Sequence, residues 1–310
     1  MYEKLATLLL LALPAVAGAM DKLAPTALYA DPQSTAAIWV NHHADDPRAD
    51  LIRSHLAGQA QARWLGNWSG EIGKAVGDYV SAAASLNQTP ILVAYNIPGR
   101  DCGQYSAGGA NSITGYQQWI ASFAAAVGQR KAVVILEPDA LGQLTCLSAA
   151  GQQGRLDALR YAVEQFHQAA PQAYVYLDAG NSAWMPAEVA ARRLAQAGIA
   201  DARGFALNVS NYKTDASSKA YGDAINAELQ KQQGYTRAYV VDTSRNGNGP
   251  LKAEWCDPPG RKIGVTSVVH LGGEQPEMQL WIKAPGNADG CRGKAGIFVP
   301  ELAEKLIQGN

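Results

Sequence analysis

The sequence predicts an α/β fold organised on parallel strands, and three observations carry that expectation. Seven short apolar runs recur: AIWV (37–40), ILVAY (91–95), AVVIL (132–136), YVYL (174–177), GFALNV (204–209), AYVV (238–241) and LWI (280–282). Helix-like stretches rich in Ala, Leu, Gln and Arg separate most of them, the alternation expected of parallel strands joined by crossovers. Polar and aromatic residues then cluster at or just after the ends of the runs: Trp39 and Asn41, Asp101, Asp139, Asp178, Asn211, Asp242, and Lys283 with Asp289. In a barrel of parallel strands all of these converge on one face. Seven strands over about 290 residues suit a barrel, closed or incomplete, better than a doubly wound sheet, although periodicity alone separates neither.

The N-terminus stands apart from this pattern. Lys4 is followed by LATLLLLALPAVAGA, an apolar run ending in small residues, and Ala17-Gly18-Ala19 or Ala15-Val16-Ala17 forms a cleavage pattern. The run falls short of the ~20 apolar residues of a membrane span. Residues 1–19 are expected to be a cleaved signal peptide and residues 20–310 a single domain, secreted to the periplasm or the extracellular space. No membrane contact is expected after signal removal.

The second run opens the richest stretch, ILVAYNIPGRDCGQYSAGG (91–109). Pro98 and Gly99 end the strand, and a glycine-rich loop carries Arg100, Asp101 and Cys102 just beyond Tyr95. The third run repeats the logic in AVVILEPDALG (132–142), with Glu137, Pro138 and Asp139 at its exit. Helices are expected over 115–127, 154–169, 186–197 and 215–232. In the second of these Leu156, Leu159, Tyr161, Ala162, Val163 and Phe166 form one apolar face at helical spacing. Residues 300–307 read as a closing helix. No internal repeat or Pro/Ser/Thr-rich linker appears, so no appended module is expected.

Composition narrows the partners. The 310 residues are 47% hydrophobic, enough for a sizeable core, and the net charge of −1 points to neither nucleic acid nor an anionic membrane. The four cysteines, Cys102, Cys146, Cys256 and Cys291, form no C-x-x-C pair, and their even number in an exported chain points to disulfides whose pairing spacing alone leaves open. Neither G-x-S-x-G nor a P-loop is present. The five histidines show no zinc-ligand spacing. Carboxylates beside aromatics are what remain. Glycosidic hydrolysis uses that combination, with one acid to protonate the leaving oxygen, a second group to handle water, and rings to stack on sugars.

The stretches 91–109 and 132–142, with YLDAGNSAW, NVSNY, VVDTSRNGNGP, EWCDPPGR and LWIKAPGNADGC in order behind them, resemble the signature motifs of family 6 glycoside hydrolases, the cellulase family of endoglucanases and cellobiohydrolases. The resemblance implies a distorted seven-stranded (β/α) barrel, TIM-barrel-like, and an inverting β-1,4-glucanase acting on cellulose and cello-oligosaccharides. It implies Asp139 as general acid and Asp101 as the carboxylate supporting its protonation and the water. Asp289 is implied as base or electrostatic support, and Asp178 and Ser106 as supporting residues. Tyr95, Trp39, Trp184, Asn211, Trp255 and Lys283 match substrate positions, and the disulfides are implied as Cys102–Cys146 and Cys256–Cys291. Glu137 reads as structural. No metal or organic cofactor is expected, and a monomer is.

Three positions depart from the family pattern: Ala107 where a serine handles water, Asn181 where a histidine is common, and Asn287 where a glutamate is common. They leave the acid machinery intact but put water handling and substrate grip in question. The compact chain leaves little length for the roofing loops of exo-acting members, so endo action is preferred. The alternatives are a cellobiohydrolase, a hydrolase of another β-glucan or of xylan, and a degenerate glucan-binding protein on the same scaffold.

Overall fold

A computed structural model describes residues 27–270 and 273–310; the expected signal peptide lies outside the described residues. In chain order the elements are α1 (Thr35–His42), α2 (Ala49–Ile52) running into a π-helical turn at Arg53–Ala57, β1 (Arg63–Leu65), α3 (Ile72–Ser85), β2 (Ile91–Ala94), α4 (Ile113–Val127) and β3 (Ala132–Leu136). There follow α5 (Ala149–Ala169), β4 (Ala173–Asp178), α6 (Ala187–Gln196), β5 (Gly204–Leu207), α7 (Asp215–Gln233), β6 (Ala238–Asp242), β7 (Val268–Val269), β8 (Met278–Leu280) and α8 (Pro300–Gln308). Most helices start at a side-chain cap: Ser34, Glu71, Ser112, Ser148 and Thr214 each accept a backbone N–H of the first turn.

The strands form one curled sheet in the order β1-β2-β3-β4-β5-β6-β8-β7. Neighbours are parallel except for β7, which lies antiparallel on β8. Seven parallel strands therefore match the expected barrel, and β7 is an addition at its edge. The two ends of the curl are tied rather than laddered. The Ala62 N–H donates to the Trp281 carbonyl at 2.9 Å, and the Trp64 indole donates to the Ile282 carbonyl at 2.7 Å.

Alternation along the strands divides the core in two. Ile91, Val93, Tyr95, Val133, Ile135, Tyr176, Ala206, Val240, Met278 and Leu280 fill the barrel interior. Leu92, Ala94, Val134, Leu136, Leu177, Phe205, Leu207, Tyr239 and Val241 face outward into the helix layer. In a third cluster Ala36, Val40, Ile52 and Leu56 pack with Trp281 and Ile307.

Two expectations need correction. The run 37–40 is not a strand but part of α1. Four apolar residues fit either state; Ser34 supplies the cap, and Ala36, Ala37 and Val40 fall on one helical face. The first strand is instead β1, whose three residues include the exposed Arg63 and make no apolar run. The seventh run likewise begins at the end of β8, not within it.

Candidate active site

The cleft lies across the carboxyl ends of the strands and has a volume of about 1030 Å³. Three buried carboxylates at the strand ends each fix the exit of a neighbouring strand. Glu137, at the end of β3, accepts from the Asn96 N–H at 2.9 and 3.0 Å and from the Ile97 N–H at 2.9 Å. It thereby holds the chain leaving β2. Asp178, ending β4, accepts from the Asp139 N–H at 2.9 Å and the Gly180 N–H at 3.3 Å. Asp242, ending β6, accepts from the N–H groups of Ser210, Ser244, Ile282 and Lys283. Buried N–H groups at strand exits need such partners, and a carboxylate can satisfy several at once.

The loops held in this way are locally strained. Asp101, Cys102, Glu137, Asp139, Asn208 and Ser210 all take positive φ, between 47° and 70°. Non-glycine residues adopt that region at a cost, and such residues cluster at functional sites.

Asp139 is half-buried in the cleft. The Tyr95 hydroxyl lies 3.4 Å from its Oδ2. Burial first and the Asp101 charge second push its carboxyl up to about 7, against the Tyr95 hydroxyl and Lys283, which pull the other way. Asp178 beneath it is also raised, first by burial and then by the Asp139 charge. Asp101 is buried at the other loop. Its Oδ2 accepts from the Ser106 N–H at 2.7 Å and its Oδ1 from the Gln143 amide at 3.0 Å. Arg100 fixes the same loop. It donates to the carbonyls of Tyr95 and Ser106 and to Asn67, and stacks on Tyr95 and Trp68, pinning this loop to β1 and β2.

Asp289 stands in a different setting. Arg245 Nη1 meets its Oδ2 at 2.8 Å and Lys283 Nζ its Oδ1 at 2.9 Å. The Tyr212 hydroxyl and the Asp257 N–H also donate to it, and Asp257 in turn accepts the Asp289 N–H. Burial alone would raise this carboxyl, but Arg245 and Lys283 more than offset that and hold it well below the usual range. The disulfides are Cys102–Cys146 and Cys256–Cys291. One joins the Asp101 loop to the segment of Gln143; the other brackets Asp257 and Asp289.

Among the expected sugar platforms, Trp184 and Trp255 line the cleft and are 36% and 43% exposed. Trp184 lies so close over Gly142 that a Cβ there would come within 2.8 Å of the indole. Tyr95, Ser106, Asn211 and Lys283 also line the cleft, as do Ala107, Asn181 and Asn287. Trp39 does not. It sits on α1, stacked on His43 with ring centroids 5.0 Å apart and tilted against Phe298. The cleft tryptophan on that side is Trp64, edge-on to Tyr95 at 5.2 Å. Sequence reasoning passed over Trp64 because β1 makes no apolar run. It also passed over Trp68, Tyr105, Gln143 and Arg245, although Arg245 stands in VVDTSRNGNGP directly after the sixth run and was open to the same argument as Asp242. Among the described residues no group of three His, Cys, Asp or Glu side chains gathers as a metal site.

Comparison with known proteins adds relatives. The family model described as Glycosyl hydrolases family 6 matches residues 22–307. "Endoglucanase 1" of Streptomyces halstedii is 50% identical over 287 residues, covering 91% of this chain and 88% of that protein. "Endoglucanase A" of Thermobispora bispora is 46% identical over 281 residues; the match covers 90% of this chain and 61% of that longer protein. Among solved structures, the endoglucanase Cel6 of Mycobacterium tuberculosis, in complex with a methyl cellobiosyl-4-deoxy-4-thio-β-D-cellobioside, superposes with a TM-score of 0.86. It is 37% identical, with 93% of this chain and 98% of that one covered.

Proposed function

The chain belongs to glycosyl hydrolases family 6, and from that premise we propose that it is a secreted, inverting endo-β-1,4-glucanase that binds cellulose and cello-oligosaccharides in this cleft. The observation that carries the reading is the pairing of unlike carboxylates. Asp139 keeps its proton near neutral pH, while Asp101 is fixed in the same cleft by Ser106 and Gln143. Asp139 protonates the departing glycosidic oxygen. Asp101 keeps Asp139 protonated by its charge and orients the attacking water, with Ser106 beside it on the same loop. Asp178 grips the Asp139 backbone and aims it.

Asp289 acts as fixed negative charge rather than as base. A proton acceptor needs a pKa near the working pH, and Arg245 and Lys283 hold this carboxyl far below it. Tyr95 crowds the sugar at the bond to be cut. Trp64, Trp184 and Trp255 are the stacking surfaces, and Asn211 and Lys283 the polar contacts. Endo action follows the names of the relatives above. Secretion is supported by the N-terminal pattern and by two disulfides, which persist in oxidising compartments; a monomer is the simplest working unit.

The test is solution viscosity followed together with reducing-end release on carboxymethylcellulose, for the enzyme and for Asp139→Asn. The expected result is a fast fall in viscosity with few new ends, reduced about 10²–10⁴-fold in the variant. Release no greater than the variant's would end the glucanase reading and favour a glucan-binding protein.

A further inference from the structure

The loop that carries Asp101 is anchored on two sides. On one side the Cys102–Cys146 disulfide and the Gln143 amide tie it to the segment after β3. On the other side the anchor is Arg100, and it is non-covalent. Arg100 Nε donates to the Ser106 carbonyl at 2.8 Å, while Asp101 accepts the N–H of the same residue at 2.7 Å. Both backbone polar groups of Ser106 are thereby gripped. Arg100 Nη1 reaches back to the Tyr95 carbonyl at 3.0 Å and to the Asn67 side chain at 3.1 Å.

Trp68 covers that guanidinium. The chain after β1 makes a tight turn, closed by the Ser69 N–H on the Gly66 carbonyl and by the Gly66 N–H on the Ser69 hydroxyl, each at 3.0 Å. The turn folds the indole back over Gly66, where a Cβ would come within 2.5 Å of the ring and 2.7 Å of the Tyr95 carbonyl. Only glycine leaves room there. The Arg100 guanidinium carbon lies 4.9 Å from the Trp68 ring centroid and 4.8 Å from that of Tyr95. Arg100 is 6% exposed although it lines the cleft, whereas Trp68 is 53% exposed. A cation held against rings and away from water makes hydrogen bonds that solvent does not contest.

We propose that Trp68 is a positioning residue: its indole keeps water from Arg100, and Arg100 then holds Ser106 and Asp101 where the reaction needs them. The proposal rests on the glucanase reading for the reaction. Without the indole the loop loosens, so water is oriented less well and turnover falls while sugar binding holds. The proton of Asp139 responds too. Asp139 is faced by Asp101, Asp289, Tyr95 and Lys283, with Asp178 beneath it, and of these only Asp101 rides on the loosened loop. A more distant Asp101 charge lets Asp139 lose its proton at lower pH.

The test compares Trp68→Leu and Trp68→Phe with the unmutated enzyme in kcat and KM on cellohexaose, in the pH profile of kcat/KM and in Tm. Trp68→Leu is expected to lower kcat about tenfold, the worth of one desolvated cation–ring contact, with KM unchanged and the alkaline limb moved to lower pH. Trp68→Phe keeps a ring over the guanidinium and should recover most of the rate and the limb. The indole is half-exposed, so both variants should keep the Tm of the parent. A raised KM with kcat and the limb unmoved overturns the proposal and makes Trp68 a surface for sugar. Equal losses in the two variants overturn it as well, as does a limb that stays in place. An unmutated enzyme without turnover would end the glucanase reading instead. The positioning role is then decided by carbon-13 titration of the Asp139 carboxyl, whose pKa should be lower in Trp68→Leu than in the parent; an unmoved value overturns it.

Discussion

Asp139 and Asp289 line one cleft, the first half-buried and the second buried, and are driven in opposite directions. Asp139 has a tyrosine hydroxyl and a second carboxylate for company, so burial and like charge keep its proton on. Asp289 has Arg245 and Lys283 in direct contact, so it stays ionised at any working pH. Burial by itself raises a carboxyl pKa in both places. Partner choice decides the outcome, and it separates a group able to donate a proton from one that can only hold charge and geometry.

The comparison breaks most visibly at Arg245. Its guanidinium is as buried as its partner, donates also to the Ser210 carbonyl, and stacks over Tyr212. Arg245→Met leaves Asp289 with Lys283 as its one contacting cation. Removing one partner of a buried pair costs about 3–5 kcal/mol, so a large fall in Tm is expected. Adding Asp289→Asn to Arg245→Met should recover part of the loss, because the uncompensated charge is then gone. An unchanged Tm in Arg245→Met would show that the pair does not hold this loop.

Part of this contrast was open to the sequence. Asp101, Asp139, Asp178 and Asp289 each follow a strand exit or stand in a motif, and parallel topology brings such residues to one face. Their environments were not legible. The pairing of Asp289 with Arg245 links two loops 44 residues apart, and nothing local announces it. The roles of Glu137, Asp178 and Asp242 as anchors for neighbouring strand exits likewise depend on sheet order rather than on spacing. The errors have a common cause. Residues 37–40 are too short a run to distinguish a helix from a strand, and their misreading drew Trp39 into the site. The true first strand hid behind Arg63, so Trp64 went unread.

A smaller effect sharpens the contrast through Asp101. Its charge is the second cause of the raised pKa of Asp139, after burial. Asp101→Asn removes that charge and leaves burial, so the pKa of Asp139 falls part of the way back. An acid must be protonated to work, and activity is lost as pH rises through its pKa. The alkaline limb of kcat/KM should therefore move to lower pH in Asp101→Asn, whatever the loss in rate. A limb that stays in place would assign the shift of Asp139 to burial alone.

The smallest effect is a stability difference, and its sign separates the two carboxyls. The unfolded pKa of an aspartate is about 3.9, and in the folded chain Asp139 stands at about 7. Between those values the folded state binds more protons than the unfolded one, so this group's contribution to stability declines as pH rises from about 4 to about 7. Asp289 has the opposite sign: its depressed pKa contributes stability above about 4, which is lost on acidification through its folded value. Asp139→Asn removes the first titration and leaves the second. The variant should melt close to the parent near pH 4 and above it near pH 8. A catalytic group kept protonated by burial is thus expected to cost stability where it works. A Tm difference that is the same at both pH values would mean that the asparagine acts through packing, and that Asp139 is not held protonated by its surroundings.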